Sequence, residues 1–411
     1  MTEIAMRPAA PQARASALAG LRVVEMGFAA AGPLVGKYLA NFGAEVIRLE
    51  SRLAADVFRT TYPPFKDGIV EPDRAGMFAF YNDGKRSATL NLKHPKGVAL
   101  ARALIGQADV FVESFTPGTV ARLGLGAETL RADHPELIIL SSCNQGQTGP
   151  HAFHPGYGSQ LSALAGFVQL LGEPESTPVL LYGPYIDYVA VGYGAIAVLA
   201  ALERRKRTGT GCTIDLSQYE AGLQFLTPSI LEFAANGRIP ARAGNADPVA
   251  APHGVYRCAG TDRWVALSVW NDAEWLALVD LAGVTGPATA TARRAARHEL
   301  DAAIGVWTAT RERDDIVAAL RRVGIRAAPV LSISELFSDP QLAHRAMWPV
   351  VTHPAIGPMH LMAPPFRLSA TPSVQERPGP TVGADNDHVF GTILGLSPDE
   401  RRTLQRDGVF E

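Results

Sequence analysis

The sequence predicts an α/β protein with a parallel central sheet, and three observations support this. Residues 21–26 form an apolar run typical of a buried strand, residues 32–42 have the pattern of a helix closed by Gly43, and residues 44–50 again resemble a strand. A strand, a helix and a strand within about thirty residues imply a right-handed crossover between parallel strands. Later strands run directly into Gly, Pro or Ser residues, as strands do at the ligand edge of such sheets.

The same pattern continues along the chain. Further strands are predicted at residues 109–113, 137–141 and 212–216, and further helices at residues 95–106, 187–207 and 218–236. Residues 51–91 have weak periodicity and several turn signals. They are therefore predicted to form a long loop excursion, a kind of segment that is often functional.

A second, smaller α/β unit is predicted after a segment rich in Gly, Pro, Ala and Asn at residues 237–254. Its predicted elements are strands at residues 254–257 and 264–268 and helices at residues 272–282, 297–309 and 314–322. Residues 340–376 are rich in proline and are predicted to be extended. Two short helices, at residues 387–394 and 397–405, end the chain and have no clear place in the second unit, so we expect them to return to the first.

The composition favours a globular protein without general attraction to nucleic acid or membranes. Of 411 residues, 47% are hydrophobic, and 38 basic residues against 40 acidic ones leave a net charge of −2. The three cysteines lack CxxC spacing, which indicates neither a disulfide framework nor a zinc site. The N-terminus has no apolar core typical of a secretory signal, and no uninterrupted apolar stretch reaches the ~18 residues of a membrane span. We expect a cytoplasmic protein that holds no metal.

Several common catalytic motifs are absent from the sequence. Gly27 and Gly32 in the first βα turn have the spacing GxxxxG rather than the GxGxxG of a dinucleotide site. The sequence has no GxxxxGK[ST] segment, which excludes a P-loop. Ser159 and Ser162 lack the GxSxG elbow of a serine hydrolase, and Cys143 at a strand end is more typical of a buried structural thiol than of a nucleophile.

The most unusual segment is residues 182–188, YGPYIDY, where a turn leads into a long apolar helix. One interpretation makes Asp187 an ordinary N-cap, which would stabilise the helix by about 1 kcal/mol. The other makes it a carboxylate nucleophile, which the helix dipole keeps ionised and the neighbouring tyrosines shield from water. The residue pattern alone leaves both interpretations open.

Basic and amide side chains recur in the loops that should gather at the ligand edge of the sheet. Each one alone is more typical of solvated surface charge. Together they suit a ligand with several phosphates, held by arginines and backbone amides. They include Arg48, Arg52, Lys85, Arg86, Lys93, Arg122, Asn144, Gln145 and Gln147.

A series of short, separated stretches carries a family resemblance. They are residues 18–25, 31–33, 43–47, 84–87, 90–93, 108–110, 117–118, 122–124, 146–150, 199–204, 208–211, 394–397 and 407–409. In this order they resemble the class III CoA-transferases, a family that includes formyl-CoA, carnitine and bile-acid CoA-transferases and the α-methylacyl-CoA racemases. The resemblance runs from about residue 18 to the end of the sequence.

The resemblance implies a Rossmann-like large domain built from both chain ends, a smaller inserted α/β domain, and two protomers interlocked as a ring dimer. It divides the chain into a loose tail at residues 1–17, the large domain at 18–218 and 346–411, a linker helix at 219–243, the small domain at 244–328 and a linker at 329–345. The implied partners are acyl-CoA and carboxylic acid substrates and a second copy of the chain, without nucleic acid or membrane.

The resemblance also implies coenzyme A, as the acyl-CoA substrate, and no metal. The family positions that bind it fall on Ala30, Ala31, Ser51, Arg52, Leu90, Asn91, Leu92, Lys93, Ser114, Phe115, Thr116, Arg122, Asn144, Gln145, Gly146 and Gln147. The catalytic aspartate of the family falls on Asp187. The implied reaction moves CoA to an acceptor acid through an aspartyl mixed anhydride and an aspartyl-CoA thioester.

The sequence departs from the family at points that bear on the reaction. Racemases have Gly-His-Asp where this chain has residues 156–158, Gly-Tyr-Gly, and racemisation needs a base on each face of the α-carbon. A transferase is therefore favoured, with an acyl-CoA racemase or isomerase as an alternative because His154 lies only three residues from Tyr157. A non-catalytic CoA-binding subunit of a hetero-oligomeric transferase is a further alternative, since some family members pair unlike chains.

An acyl pocket is expected next to the catalytic aspartate. Its candidate lining residues are Tyr157, Gln160, Tyr185, Tyr188 and Trp270. The same aromatic side chains could equally belong to a packed core, and the sequence does not decide between these interpretations.

Overall fold

The computed structural model describes residues 16–411, so most of the predicted tail at residues 1–17 lies outside the described residues. Six parallel strands form the central sheet in the order β3-β2-β1-β4-β5-β6. The strands are β1 (Arg22–Met26), β2 (Glu45–Glu50), β3 (Arg86–Thr89), β4 (Val110–Glu113), β5 (Ile138–Cys143) and β6 (Thr213–Ser217). The predicted α/β class with a parallel sheet is confirmed.

The strand order reverses between β1 and β4, which lie side by side although two strands separate them in sequence. Their carboxyl ends are aligned, with Met26 opposite Glu113, and the Ser114 amide donates to the Met26 carbonyl over 3.2 Å. In open α/β sheets, ligands bind in the crevice at such a switch point. The loops that follow β1 and β4 are thereby brought together.

Helices cover both faces of this sheet. The helices of this part of the chain are α1 (Ala31–Asn41), α2 (Val57–Thr60), α3 (Gly76–Tyr81), α4 (Pro95–Ile105), α5 (Thr119–Arg122), α6 (Ala127–Asp133), α7 (Gly158–Leu164), α9 (Tyr185–Thr208) and α10 (Gln218–Leu223). A further helix, α8 (Phe167–Leu170), lies between α7 and α9 in the chain but is not one of those that cover this sheet. Neighbouring strand residues point to opposite faces: Val23 packs in a core with α1 and α9, and Val24 in a core with α4, α6 and the C-terminal segment.

Residues 51–91 contain more structure than the predicted loop. The segment includes α2, α3, two 3-10 turns (Lys66–Gly68 and Pro72–Arg74) and the edge strand β3, so the prediction of a long loop is wrong. The sequence of β3, RSAT, has no apolar alternation. Its backbone is held instead by the C-terminal segment, where Asp385 accepts from the Ser87 amide and Asn386 from the Thr89 amide, both over 2.9 Å.

The described residues divide into two compact units. The larger comprises the residues through 165, 181–228 and 343–411, and the smaller comprises 166–180 and 229–342. The smaller unit contains a three-stranded antiparallel sheet of β7 (His253–Arg257), β8 (Trp264–Ser268) and β9 (Arg326–Val330). Its helices include α12 (Asp272–Ala282), α13 (Ala290–Ala295), α14 (Arg297–Ala309), α15 (Arg313–Arg322) and α16 (Ile333–Leu336). β9 and α13 were not predicted, and β9 contains a proline that weakens its strand pattern.

Two further predictions are corrected by the structure. The helix predicted at residues 218–236 is divided into α10, a 3-10 turn (Gln224–Leu226) and α11 (Thr227–Asn236), since Pro228 has no amide to continue the hydrogen-bond ladder. The segment predicted as extended, 340–376, begins with α17 (Pro340–His344) and contains a hairpin of β10 (Val350–His353) and β11 (Gly357–His360). The chain ends with a π-helix (Asp387–Ile393) and α18 (Pro398–Arg406).

By length and composition, α9 is apolar enough to cross a membrane, with a mean hydropathy of 1.7 over an 18-residue window. The residues that it buries, among them Ala190, Val191 and Val198, belong to the core on one face of the sheet. At Gly194 the packing is so close that a methyl group would lie 2.8 Å from Val35 Cγ2 of α1. These contacts are those of a helix packed on a sheet.

Candidate active site

Asp187 lies in the first turn of α9, but it does not cap the helix. Pro184 occupies the N-cap position, and the Asp187 amide donates to the Pro184 carbonyl over 3.0 Å. Its Oδ1 is buried and has no hydrogen-bond partner. Burial raises the pKa of Asp187 from 3.8 to about 7. The N-cap interpretation is wrong, and the helix dipole does not keep the carboxyl group at an ordinary pKa.

Gly158, the first residue of α7, gives the Asp187 carboxylate its space. A Cβ atom at this position would lie 2.6 Å from Asp187 Oδ1 and 2.6 Å from Pro184 Cβ. Such distances are too short for any side chain. The glycine is therefore required by close approach rather than by backbone conformation. In the sequence, Gly158 was recognised only as a departure from the racemase motif. Its role in making room for the Asp187 carboxylate was not predicted.

Asp187 opens into a cavity of about 490 Å³ in the larger unit, here called the Asp187 cavity. It is formed by the loop after β1, the loop after β4, residues after β5 and the start of α9. Its lining residues are Phe28, Ala29, Ala30, Ala31, Ala54, Ala55, Val57, Ser114, Phe115, Thr116, Pro117, Cys143, Asn144, Ala152, His154, Pro155, Gly156, Tyr157, Asp187 and Gln218. Six of the predicted CoA-binding residues and the predicted acyl-pocket residue Tyr157 thus share a cavity with Asp187.

A second cavity of about 220 Å³ has Phe28, Ala54 and Phe115 in common with the Asp187 cavity. Its lining includes Ser51 and the run Leu90, Asn91, Leu92 and Lys93, all predicted to bind CoA. Phe28 and Phe115, which line both cavities, pack edge to face with ring centroids 5.5 Å apart. The two cavities therefore adjoin at these shared side chains.

The loop after β1 is stabilised by a group of buried charged residues, here called the paired cluster: Glu25, Arg48, Asp56 and Lys85. Ala29 has a φ of 58°, and the carboxylate of Asp56 accepts from its amide over 3.1 Å. Arg48 donates to Glu25 Oε1 over 2.9 Å, to the Gly27 carbonyl over 2.8 Å and to Asp56. Asp56 thereby stabilises a left-handed residue in the wall of the Asp187 cavity.

Lys85 completes the paired cluster rather than facing a ligand. Its ammonium donates to Glu25 Oε1 and the Pro33 carbonyl, both over 2.6 Å, and to Asn82 Oδ1 over 2.8 Å. Burial lowers the pKa of Lys85 to about 8. Arg48 and Lys85, which the sequence suggested as phosphate ligands, are therefore committed to internal partners.

Five predicted CoA-binding residues line neither cavity: Arg52, Arg122, Gln145, Gly146 and Gln147. Arg52 donates to the Val382 carbonyl over 2.9 Å, and Arg122 donates to Thr119 Oγ1 over 3.0 Å. The amide of Gln147 donates to the Asp215 carboxylate over 2.9 Å.

Four predicted acyl-pocket residues also lie outside the lining of the Asp187 cavity. Gln160 accepts from the Tyr157 amide over 3.0 Å and so fixes the start of α7. The hydroxyl groups of Tyr188 and Tyr81 are 2.6 Å apart, and burial raises the pKa of both above the ordinary value. Tyr185 precedes this pair in the first turn of α9, and Trp270 belongs to the smaller unit.

Comparison with known proteins identifies the family. A family model described as CoA-transferase family III matches residues 18–386. The chain belongs to this family. It is 32% identical to the succinyl-CoA–D-citramalate CoA-transferase of Chloroflexus aurantiacus, covering 94% of this chain and 96% of that one. It is 33% identical to the succinate–glutarate CoA-transferase of Agrobacterium fabrum, covering 92% and 95%.

A solved structure is similar over the same length. The CaiB/BaiF family protein from Brucella suis matches with a TM-score of 0.84 at 32% identity, covering 92% of this chain and 100% of that one. The family resemblance drawn from the sequence is confirmed, and this family III CoA-transferase acts on CoA thioesters. Within residues 16–411, no group of three or more His, Cys, Asp and Glu side chains is placed to hold a metal ion.

Proposed function

We propose that this CoA-transferase moves CoA from an acyl-CoA donor to a carboxylic acid through covalent intermediates on Asp187. One observation carries the proposal: Asp187 Oδ1 is buried, has no hydrogen-bond partner, and belongs to a residue that lines a cavity. Structural carboxylates are normally hydrogen-bonded when buried. A carboxylate left without partners is desolvated and suited to nucleophilic attack.

The proposed reaction balances without a metal or ATP. The Asp187 carboxylate attacks the donor thioester carbon, the C–S bond breaks, and a mixed anhydride and CoA thiolate form. The thiolate then attacks the aspartyl carbonyl, which releases the donor acid as a carboxylate and leaves an aspartyl-CoA thioester. The acceptor carboxylate attacks this thioester, and the same two steps run in reverse to give the new acyl-CoA and free Asp187.

Two features of the cavity suit this reaction. Ser114 belongs to the lining and its Oγ has no hydrogen-bond partner, which supports it as the proposed donor to a developing oxyanion. The walls are mainly alanine, proline and aromatic side chains, which keep water from the anhydride. We place the thioester end of the substrate in the Asp187 cavity and the rest of the pantetheine arm along Phe28 and Phe115 toward the second cavity.

In this placement, the phosphates of CoA lie outside the cavities, near the exposed polar loops. Lys93 lines the second cavity, and Arg52 and Arg122 are the other proposed cations. Gln145 and Gly146 are further proposed contacts, whereas the Gln147 amide already donates to the Asp215 carboxylate.

One specific observation favours the racemase alternative. His154 lines the same cavity as Asp187, so two groups able to exchange a proton share one space. If an α-carbon bound between them, a branched acyl-CoA would exchange its α-deuterium with water in the absence of any acceptor acid. Such exchange, without CoA transfer to any acid, would favour the racemase.

We further propose an interlocked homodimer. The side of α9 that does not face the sheet exposes Tyr193, Ile196 and Leu199, and the neighbouring Phe225 is exposed as well. Clustered exposed apolar residues are typical of subunit interfaces. A monomer in solution would contradict this proposal, whereas inactivity relieved only by a second, unlike chain would favour the alternative of a non-catalytic subunit. A cytoplasmic location stays a prediction.

The test of the mechanism compares two aspartate variants. Asp187→Ala should abolish CoA transfer, while Asp280→Ala, at an exposed aspartate of α12, should keep it. Hydroxylamine added during turnover should convert the acylated aspartate into a hydroxamate, seen as a mass change in the peptide that contains Asp187. Full activity of a folded Asp187→Ala protein would overturn the proposal.

A further inference from the structure

We infer that this transferase acts on monocarboxylic acids with apolar or aromatic side chains and discriminates against dicarboxylic acids. The inference names the substrate class of the Asp187 cavity and rests on the proposed function. It follows from the charges and the apolar surfaces that surround Asp187.

The first observation is the lack of a fixed positive charge in the lining. None of the residues described around the Asp187 cavity is a lysine or an arginine. The lining also includes the imidazole of His154, which is exposed and packs against His151 with ring centroids 4.6 Å apart. A second substrate carboxylate would therefore have no permanent cation to pair with.

The neighbouring cations do not replace it. Arg48 is only 1% exposed and is held by Glu25, Asp56 and the Gly27 carbonyl, and it lines the second cavity rather than the Asp187 cavity. Lys85 is fully buried beneath the loop. A distal carboxylate beside ionised Asp187 would be a second unpaired negative charge in a partly desolvated space, which is strongly unfavourable.

The second observation is the apolar surface that the cavity offers. Phe28, Phe115 and Tyr157 provide three aromatic rings, Val57 and several alanines fill the spaces between them, and the volume of about 490 Å³ is within the usual range for small-molecule sites. Burying an aliphatic or aromatic acyl group here gains about 25 cal/mol for each Å² of apolar surface removed from water. A distal carboxylate would forfeit this gain.

This substrate class differs from those in the names of two relatives. Succinate, glutarate and citramalate are all dicarboxylic acids, and the relatives so named are 32–33% identical to this chain. Overall similarity therefore would not indicate a monocarboxylate enzyme. The composition of the cavity is what points to it.

The test uses acceptors matched in length, with acetyl-CoA as the donor and the full-length protein at pH 8. Hexanoate is compared with adipate, and butyrate with succinate. We expect kcat/KM for the monocarboxylate of each pair to be higher by at least about thirtyfold, roughly 2 kcal/mol. Equal or better transfer to the dicarboxylates would overturn the inference and leave the proposed function intact. Transfer to no acid at all would overturn both.

Two variants of Tyr157 test whether the missing positive charge causes the discrimination against dicarboxylic acids. Tyr157 is 58% exposed in the cavity wall, and its amide, rather than its ring, makes the hydrogen bond to Gln160. Tyr157→Arg supplies the missing cation and should raise the adipate-to-hexanoate ratio of kcat/KM by about tenfold or more. Tyr157→Met, of similar length but neutral, should not. If both variants moved the ratio equally, the charge argument would be contradicted.

Discussion

Asp56 is buried and Asp187 is half-buried with its Oδ1 atom enclosed, both in the larger unit, and burial raises the pKa of each. Asp56 belongs to the paired cluster, where Arg48 and the amides of Ala29 and Phe58 donate to its carboxylate. Asp187 has a carboxylate oxygen with no partner, and its pKa is raised by burial alone. The chain thus buries one aspartate with its hydrogen bonds satisfied and another without.

The two aspartates differ in their effect on stability: the contacts of Asp56 stabilise the fold, whereas the unpaired oxygen of Asp187 does not. A buried carboxylate with several donors positions the backbone, as Asp56 does for Ala29. A carboxylate whose enclosed oxygen has no donor destabilises the fold once it ionises, as is typical of groups at functional sites. Removing Arg48 from the paired cluster and removing the charge of Asp187 should therefore have opposite effects on stability.

The largest effect on stability is expected from Arg48→Met. This change leaves Asp56 buried without its cation and removes one of the two cations that pair with Glu25, which should lower the free energy of unfolding by about 3–5 kcal/mol. Urea unfolding at pH 7.5 measures it. Arg102→Ala, at an exposed pair with Asp133, is the matched control and should cost less than about 1 kcal/mol. Equal effects would show that the paired cluster does not stabilise the fold.

Asp187→Asn should have the opposite effect. The folded-state pKa of Asp187 is about 7 against 3.8 ordinarily, so the native protein holds a proton that the unfolded chain releases. The contribution of Asp187 to wild-type stability therefore falls as the pH rises from about 4 to 7, by about 4 kcal/mol in all. The variant does not titrate, so its advantage over wild type should grow across this range and level off above pH 7, as urea titrations would measure. A constant advantage would contradict the raised pKa.

Gly158→Ala tests whether the space for Asp187 matters to the reaction. The added methyl group would meet both Asp187 Oδ1 and the Pro184 ring, so the carboxylate must move. A displacement of about 1 Å at a nucleophile costs about a hundredfold in rate. We expect kcat to fall by this factor in a folded protein, as judged by circular dichroism. Gly192→Ala in α9, where a methyl group meets nothing within 4 Å, is the control and should keep wild-type kcat.

The smallest expected effect is on the pH dependence of the rate. If ionised Asp187 is the attacking group, as proposed, kcat/KM should rise tenfold per pH unit below about pH 7 and level off above it. Initial rates from pH 5.5 to 9, with an acyl-CoA whose acyl group does not titrate, measure this profile. A plateau extending down to pH 5.5 would contradict the raised pKa of Asp187 in the free enzyme.

Much of the fold could be predicted because its signals are local. The strands β1, β2, β4 and β5 are apolar runs that any central parallel strand needs, and the structure has each of them within two residues of the predicted bounds. β3 could not be found this way. Its four residues carry no apolar pattern, and side chains about 300 residues later in the chain satisfy its edge.

The candidate site likewise contains residues that could be predicted from the sequence and residues that could not. Asp187 could be proposed from its turn and from the family resemblance, but nothing local distinguishes a cap from an unpaired nucleophile. Gly158 and Asp56 gave no sequence signal, because the role of each depends on one distant neighbour, Asp187 in the first case and Ala29 in the second. Arg48 was predicted at the ligand edge, but its partners are internal.

The sequence by itself determined the parallel sheet, the family and Asp187 as the proposed nucleophile, since these depend on residue order and short-range pattern. Only the tertiary structure decided that Asp187 Oδ1 has no hydrogen-bond partner, that burial raises the pKa of this carboxyl group to about 7, and that the described residues lining its cavity include no lysine or arginine. The physical reason is that desolvation and pairing are set by which atoms surround a group in space. Those atoms come here from the loops after β1, β4 and β5 and from the start of α9.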